Sequence, residues 1–389
     1  MNIGIDKIGF FAPHLYVETE DLAIKRGVEP EKFTIGIGQE KMAVAPASQD
    51  AVTLAANAAA SILTEEDKQA IDYVIFATET GVDHSKAAST YIHDLLGLPP
   101  YTRAVEMKQA CYSATAGLQA ARGHIALNPD SKVLVVASDI SRYGLNTAGE
   151  ITQGAGAVAF VVAKDPKILS IEPTSVYKTE EAMDFWRPLY SETAFVQGKF
   201  SVDQYINFFL DLLDRYNEKT NRSLKDFDAL LFHLPYTKMG LKALRKSVEA
   251  ADTEDQERLL SGFDISKYYN AIVGNIYTGS LYLSLVSLLE NSQTLKAGDR
   301  IGLFSYGSGS VGEFFTGVLV PGYEKHLNTD YHTAMLKKRT ALSVEEYEQI
   351  FEEKLPVGEK DYTVDTTKDP APFVFTGVTE HMRQYKRQA

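Results

Sequence analysis

The sequence predicts an α/β protein built from two similar halves, and three observations support that expectation. Apolar runs rich in β-branched residues, such as Tyr73 to Ala77, Val133 to Ala137 and Ile301 to Phe304, alternate with stretches of helical periodicity. That is the sequence form of buried strands interleaved with helices. The order of these elements then repeats along the chain, the mark of an internal duplication. The length of 389 residues also exceeds what a single hydrophobic core serves.

Taken in order, the first half runs from a helix near Gln49 to Leu63 into the strand Asp72 to Glu79, then a helix of small residues after Cys111, then a strand and a glycine turn at Gly154. The second half runs from a helix near Val202 to Tyr216 into the strand Asp228 to His233, then the segment Gly274 to Leu281, then a strand and a glycine turn at Gly307. The spans from Glu79 to Gly154 and from His233 to Gly307 differ by one residue. No low-complexity linker divides the chain, so the repeat alone sets the expected halves at residues 1–166 and 167–389. The tail beyond Pro321 reads as helical and acidic, with Ser343 to Glu346 as a capping box, and no chemistry is expected of it. Two such halves would pack with their strand ends facing a shared cleft, which makes residues closing equivalent strands natural partners. Those residues are Glu79 and His233.

Composition removes several function classes. A formal net charge of −13 opposes general attraction to nucleic acid or anionic lipid. An anionic ligand would need a local cluster of Lys and Arg. The single cysteine excludes an internal disulfide and a multi-cysteine metal cage, and it suits a reducing cytoplasm. The stretch Met1 to Glu18 carries acidic residues and a proline where a secretory signal needs unbroken apolar sequence. The longest apolar runs, such as Ala155 to Ala163, are too short to span a bilayer. The expectation is a cytoplasmic protein with neither a nucleic-acid nor a membrane partner.

Cys111 lies in Lys108-Gln-Ala-Cys-Tyr-Ser-Ala-Thr-Ala-Gly-Leu118, just ahead of a helix of small residues. It reads either as buried structural filler or as a nucleophile whose thiolate a helix N-terminus would favour. Glu79 ends an apolar strand, where it is either a surface strand end or a desolvated carboxyl with a raised pKa, suited to removing a proton from carbon. His233 is likewise a satisfied core histidine or a site residue. The repeat places Glu79 and His233 at matching strand ends, and with Cys111 the three together favour a catalytic reading. Lys238, Lys242, Arg245 and Lys246 follow at helical spacing, either as a solvated face or as an anion site for the phosphates of coenzyme A. Gly307-Ser-Gly-Ser-Val-Gly312 matches the dinucleotide fingerprint in form. The next segment reads as a strand, whereas that fingerprint needs a helix N-terminus, so a nicotinamide site is not expected.

Eight ordered motifs carry a family resemblance over nearly the whole chain: Glu79-Thr-Gly81, the Lys-Gln-Ala-Cys-Tyr segment around Cys111, Arg142-Tyr-Gly-Leu-Asn146, Thr152-Gln-Gly-Ala-Gly-Ala-Val-Ala159, Asp184-Phe-Trp-Arg-Pro188, Phe232-His-Leu-Pro-Tyr-Thr-Lys238, Gly274-Asn-Ile-Tyr-Thr-Gly-Ser280 and Phe304-Ser-Tyr-Gly-Ser-Gly309. In these segments the sequence resembles the bacterial 3-hydroxy-3-methylglutaryl-CoA synthases. Two departures stand out: Ile151 where the family has proline, and Gln197 where it has aspartate.

The resemblance implies a layered αβαβα thiolase-like fold in which the repeat is an ancient duplication. It implies a condensation of acetyl-CoA with acetoacetyl-CoA in the mevalonate pathway, by a homodimer that needs no metal or cofactor. Carried over by position, Cys111 matches the acetyl-accepting nucleophile, Glu79 the general acid/base and His233 the partner of acetoacetyl-CoA. Tyr143, Asn146, Thr152, Ser201, Lys238, Lys242, Asn275 and Ser308 are then expected to line the acyl-CoA site, although Ser201 reads equally well as the N-cap of its helix. A ketoacyl synthase of the Cys, His, Asn type is the nearest rival, with Asn275 ready for it, but such an enzyme has no need of a carboxylate base at Glu79. A non-catalytic acyl-CoA-binding protein would have lost one of the three residues.

Overall fold

In the computed structural model of the chain, which describes residues 1–353, 355–356 and 358–388, nine strands form one sheet. They are β1 (Ile3–Phe11), β2 (Ile71–Ala77), β3 (Arg103–Met107), β4 (Lys132–Ser141), β5 (Gly154–Lys164), β6 (Leu169–Thr179), β7 (Ala229–Phe232), β8 (Arg300–Gly307) and β9 (Val311–Leu319). Their order across the sheet is β7-β8-β9-β6-β1-β5-β4-β2-β3. In the first half β1 runs antiparallel to β5, β5 antiparallel to β4, and β4 parallel to β2. In the second half β6 runs antiparallel to β9, β9 antiparallel to β8, and β8 parallel to β7. The halves therefore share one strand pattern, and they join where Ile3–Ile5 of β1 pair with Leu169–Ile171 of β6.

The expected equivalence of the two glycine turns does not hold. Gly154 opens β5 whereas Gly307 closes β8. By topology Gly307 matches Ser141 at the end of β4, and Gly154 matches Val311 at the start of β9. The near-equal spans arise because the first half spends chain on a loop, residues 142–153, that the second half spends on extra helices between β7 and β8.

Buried strands place alternate side chains on opposite faces, and the core divides accordingly. Val133, Val135, Leu231 and Leu303 face a central layer made by α3 (Ser113–Leu127) and α7 (Ser280–Asn291), reached after α1 (Ala51–Ala60), α2 (Ala88–Leu95), α4 (Gly198–Thr220), α5 (Thr237–Val248) and α6 (Thr253–Ser266) are placed in chain order. Leu134, Val136, Val74 and Phe76 point the other way, onto α1 and α2. Leu230, Phe232, Phe304 and Phe314 point onto α4, α5 and α6. Five layers result, helices outside each half-sheet and between them.

The tail is helical only in part. Ser343 does cap α8 (Val344–Glu352), its hydroxyl accepting from the Glu346 amide. Beyond it the chain forms a hairpin, β10 (Phe373–Thr379) and β11 (Met382–Arg387), that packs on α1. The Asn57 side chain of α1 bonds both backbone groups of Phe373, at 2.9 and 3.0 Å.

Candidate active site

Each candidate side chain stands where a buried strand or helix ends. β2 closes at Ala77 and the chain turns through Thr78-Glu79-Thr80. One oxygen of the buried Asp139 carboxylate gathers that turn, accepting from the Thr78 hydroxyl at 2.8 Å, the Glu79 amide at 2.9 Å, and the Thr80 amide and hydroxyl at 3.1 and 2.7 Å. The guanidinium of Arg187 donates to the Glu79 carbonyl. The Glu79 carboxylate is thereby aimed at Cys111, whose thiol donates to it at 3.3 Å.

Cys111 follows Ala110, which sits in the left-handed region at φ 43°. The turn is pinned from both halves. The Ser113 hydroxyl accepts from the Gln109 amide at 2.6 Å, and the Thr278 hydroxyl, from the second half, accepts from the Ala114 amide at 2.7 Å. Gly307 must be glycine for this approach: a Cβ there would lie 2.5 Å from the Gln109 carbonyl oxygen. The Gln109 side chain reaches the Ser308 carbonyl at 3.4 Å, which seats the turn after β8 against the cysteine turn.

The expected activation of the thiol by a helix N-terminus is overturned. α3 begins two residues later, its Ala114 amide is already bonded, and the Cys111 thiol is pushed up by burial and by the facing Glu79, Asp139 and Asp184. Glu79 behaves as expected: burial and then Asp139 push its carboxyl up to about 8. Thiol and carboxyl therefore rest as a neutral thiol sharing its proton with a weakly acidic carboxyl group.

His233 directly follows β7, its amide bonded to the Phe304 carbonyl at 2.9 Å and its carbonyl to the Tyr205 hydroxyl at 2.7 Å. Burial drives its imidazole down to about 3, so the ring is neutral, and its Nδ1 is buried with no partner. A neutral ring with an uncommitted nitrogen suits a ligand carbonyl or hydroxyl.

The expected binding residues separate into groups. Asn275 and Tyr143 meet, the amide donating to the phenol at 3.1 Å, and Tyr143 lies within electrostatic reach of both Cys111 and Glu79. Gly274 makes the Asn275 turn possible at φ 90°, where a Cβ would sit 2.2 Å from the Gln153 carbonyl oxygen. Asn146 and Thr152 lie on the 142–153 loop, bonded to Glu150 and Gly149 rather than to the cysteine turn. Lys238 and Lys242 are on α5, Lys242 exposed, and neither has an ion-pair partner among the described residues. Ser201 is no N-cap: α4 begins at Gly198, and the Ser201 amide already bonds the Gln197 carbonyl at 2.8 Å.

Asp139, Asp184 and Arg187 emerge only in three dimensions. Asp184 accepts from the Gly309 amide at 2.9 Å and the Tyr306 hydroxyl at 2.7 Å, tying the 183–188 segment to the turn after β8. A buried Asp inside the apolar β4 was the available signal for Asp139, since an unpaired carboxylate is not tolerated there. Among the described residues no group of three or more His, Cys, Asp or Glu is placed to hold a metal ion, and no helix is long and apolar enough to cross a membrane.

The family descriptions "Hydroxymethylglutaryl-coenzyme A synthase N terminal" and "C terminal" match residues 1–167, and residues 174–261 and 245–371, respectively. A hydroxymethylglutaryl-CoA synthase of Enterococcus faecalis is 52% identical over 387 residues, covering 99% of this chain and 100% of that protein. A polyketide-biosynthesis 3-hydroxy-3-methylglutaryl-ACP synthase of Bacillus subtilis is 34% identical, covering 90% and 88%. A crystal structure of an HMG-CoA synthase complexed with CoA superposes with a TM-score of 0.97 at 47% identity over the full length of both chains. With its layered thiolase-like fold, this chain belongs to the hydroxymethylglutaryl-CoA synthase family of acyl-CoA-condensing enzymes.

Proposed function

We propose that the chain condenses acetyl-CoA with acetoacetyl-CoA and water to give 3-hydroxy-3-methylglutaryl-CoA and CoA, through an acetyl group carried on Cys111. The observation that carries this reading is the 3.3 Å contact between the Cys111 thiol and Glu79, whose carboxyl is pushed up to about 8. Cys111 attacks acetyl-CoA and CoA leaves as its thiol, carrying off the cysteine proton, so this transfer spares the Glu79 carboxylate. Glu79 then removes a methyl proton from the acetyl thioester, a step for which the ideal base titrates near working pH. Backbone N–H groups at Cys111 and Ser308 receive the charge that develops on the thioester oxygen. The enolate attacks the ketone of acetoacetyl-CoA, held by a ring N–H of neutral His233. Glu79 returns the proton it took to the alkoxide that forms, and water hydrolyses the thioester to release the product and the Cys111 thiol.

Tyr143 and Asn275 are assigned to the acyl group, Ser308 to the thioester, and Lys238 and Lys242 to the CoA phosphates. Asn146, Thr152 and Ser201 complete the outer wall of the acyl-CoA site. The chemistry calls for no metal or cofactor. We assign the protein to the cytoplasm and to the mevalonate pathway, in line with its bacterial relative and its single unpaired cysteine. A homodimer is assigned through β3, an edge strand with a neighbour on one side only, whose Ala104, Val105 and Met107 remain half-exposed. Mass spectrometry after incubation with acetyl-CoA alone tests the core of the proposal: one acetyl group on Cys111 is expected, and an unmodified protein overturns it.

A further inference from the structure

The loop that presents Tyr143 to the cysteine is held from beneath by residues the reaction does not use. The Gln153 side-chain oxygen accepts from the backbone amides of Tyr143 and Gly144 at 2.7 and 3.1 Å. Its amide nitrogen donates to the Tyr347 hydroxyl at 2.8 Å, and that hydroxyl lies 3.2 Å from the Glu150 carboxylate, which accepts its proton. Glu150 also accepts from the Asn146 amide at 2.8 Å and from Arg26 at 2.8 and 2.7 Å. Gln153, Glu150 and Tyr347 are all buried. A buried polar network of this kind fixes one arrangement because each member loses a partner in any other.

We propose that Tyr347, in the C-terminal helix α8, is a positioning residue for the active site, acting through Gln153 on the backbone that carries Tyr143. The chain of contacts is continuous: Tyr347 hydroxyl, Gln153 amide, Tyr143 backbone, Tyr143 phenol, Asn275. Tyr347 touches no reacting atom. Its hydroxyl sets which way the Gln153 amide points, and a reversed amide would present N–H to N–H at Tyr143 and Gly144. Releasing the loop lets water reach a thiol now held up by burial, so it ionises more readily while the catalytic geometry loosens.

This inference rests on the synthase reading for its turnover arm, and a second arm is independent of it. Cys111 is the only cysteine, so alkylation by iodoacetamide at one fixed pH reports the site without substrate. In Tyr347→Phe, which keeps the buried ring, condensation kcat should fall and Cys111 alkylation should quicken, each by about tenfold, with KM for acetyl-CoA within about twofold. Tyr385→Phe is the control, a partly buried tail hydroxyl, bonded to Asp50 at 2.8 Å and away from the loop. It should lower thermal stability comparably and change neither rate. In a Tyr143→Phe background the Tyr347→Phe effect on kcat should shrink. Unchanged kcat and unchanged alkylation in a folded Tyr347→Phe overturn the proposal. A changed alkylation rate in a protein that makes no product leaves the positioning role standing and removes the synthase reading.

Discussion

The two halves end their equivalent strands in opposite chemistry. After β2 the backbone delivers Glu79 into a cluster of acidic groups, where burial and Asp139 hold its proton on up to about 8. After β7 the same backbone delivers His233 into apolar surroundings, where burial alone strips its proton down to about 3. Desolvation acts on both, and because it penalises whichever form is charged, it makes a carboxyl a weaker acid and an imidazole a weaker base. The shared strand pattern gives two matched positions, and the residue type at each decides how burial shifts its proton affinity.

The sharpest way to break this comparison is to remove the atom both sides serve. Cys111→Ala should abolish acetylation and condensation, with a circular dichroism spectrum and melting temperature close to wild type, because Ala fits a turn already lined by small residues. Product formation near the wild-type rate would remove the nucleophile assignment. Glu79→Ala should lower condensation by on the order of 10²–10⁴ while acetyl-enzyme still accumulates. The second outcome follows from the electrostatics: Glu79 is among the charges that raise the thiol, so deleting it eases ionisation of Cys111. If acetylation vanishes as completely as in Cys111→Ala, the carboxyl serves the thiol alone.

The comparison also predicts stability trends of opposite sign. Glu79 binds its proton more tightly folded than unfolded, so the folded state loses stability as pH rises from 4.5 towards about 8. His233 binds its proton less tightly folded, so stability is lost as pH falls from 6.5 towards about 3. Thermal melts across pH should therefore show Glu79→Gln gaining on wild type only towards alkaline pH, and His233→Phe gaining only towards acid. Parallel curves for either variant would contradict the burial described for that side chain. The smallest effect belongs to the outer site. Lys242→Ala should raise KM for both CoA thioesters by about threefold with kcat unchanged, as expected of a contact equally strong before and during reaction. Unaltered KM would return α5 to an ordinary solvated face.

The strand ends were legible in the sequence because Glu79 and His233 each interrupt an apolar run, and the order of elements around them repeats. The sign of the cysteine's shift was not, because it depends first on burial and then on Glu79, Asp139 and Asp184, which surround Cys111 only when the sheet closes. Ser201 misled because serine favours helix starts, while here α4 had begun three residues earlier at Gly198. Tyr347 was invisible for a related reason: its helix was legible from the Ser343 cap, but its partner Gln153 lies on the 142–153 loop and meets it only when α8 packs there.

The pairing of α1 with the final hairpin gives the chain an order in time. Asp50, Asn57 and Gln49 are synthesised 333, 316 and 320 residues ahead of their partners Arg383, Phe373 and Asp369. At ribosomal speeds the delay is on the order of tens of seconds. Through that interval these side chains keep only their local bonds, such as the Thr53 amide to Asp50, so the first half cannot reach its final form as an independent nascent unit. A truncation that removes only β11 should then leave a protein whose helix α1, far from the cut in sequence, is the part most exposed to proteases.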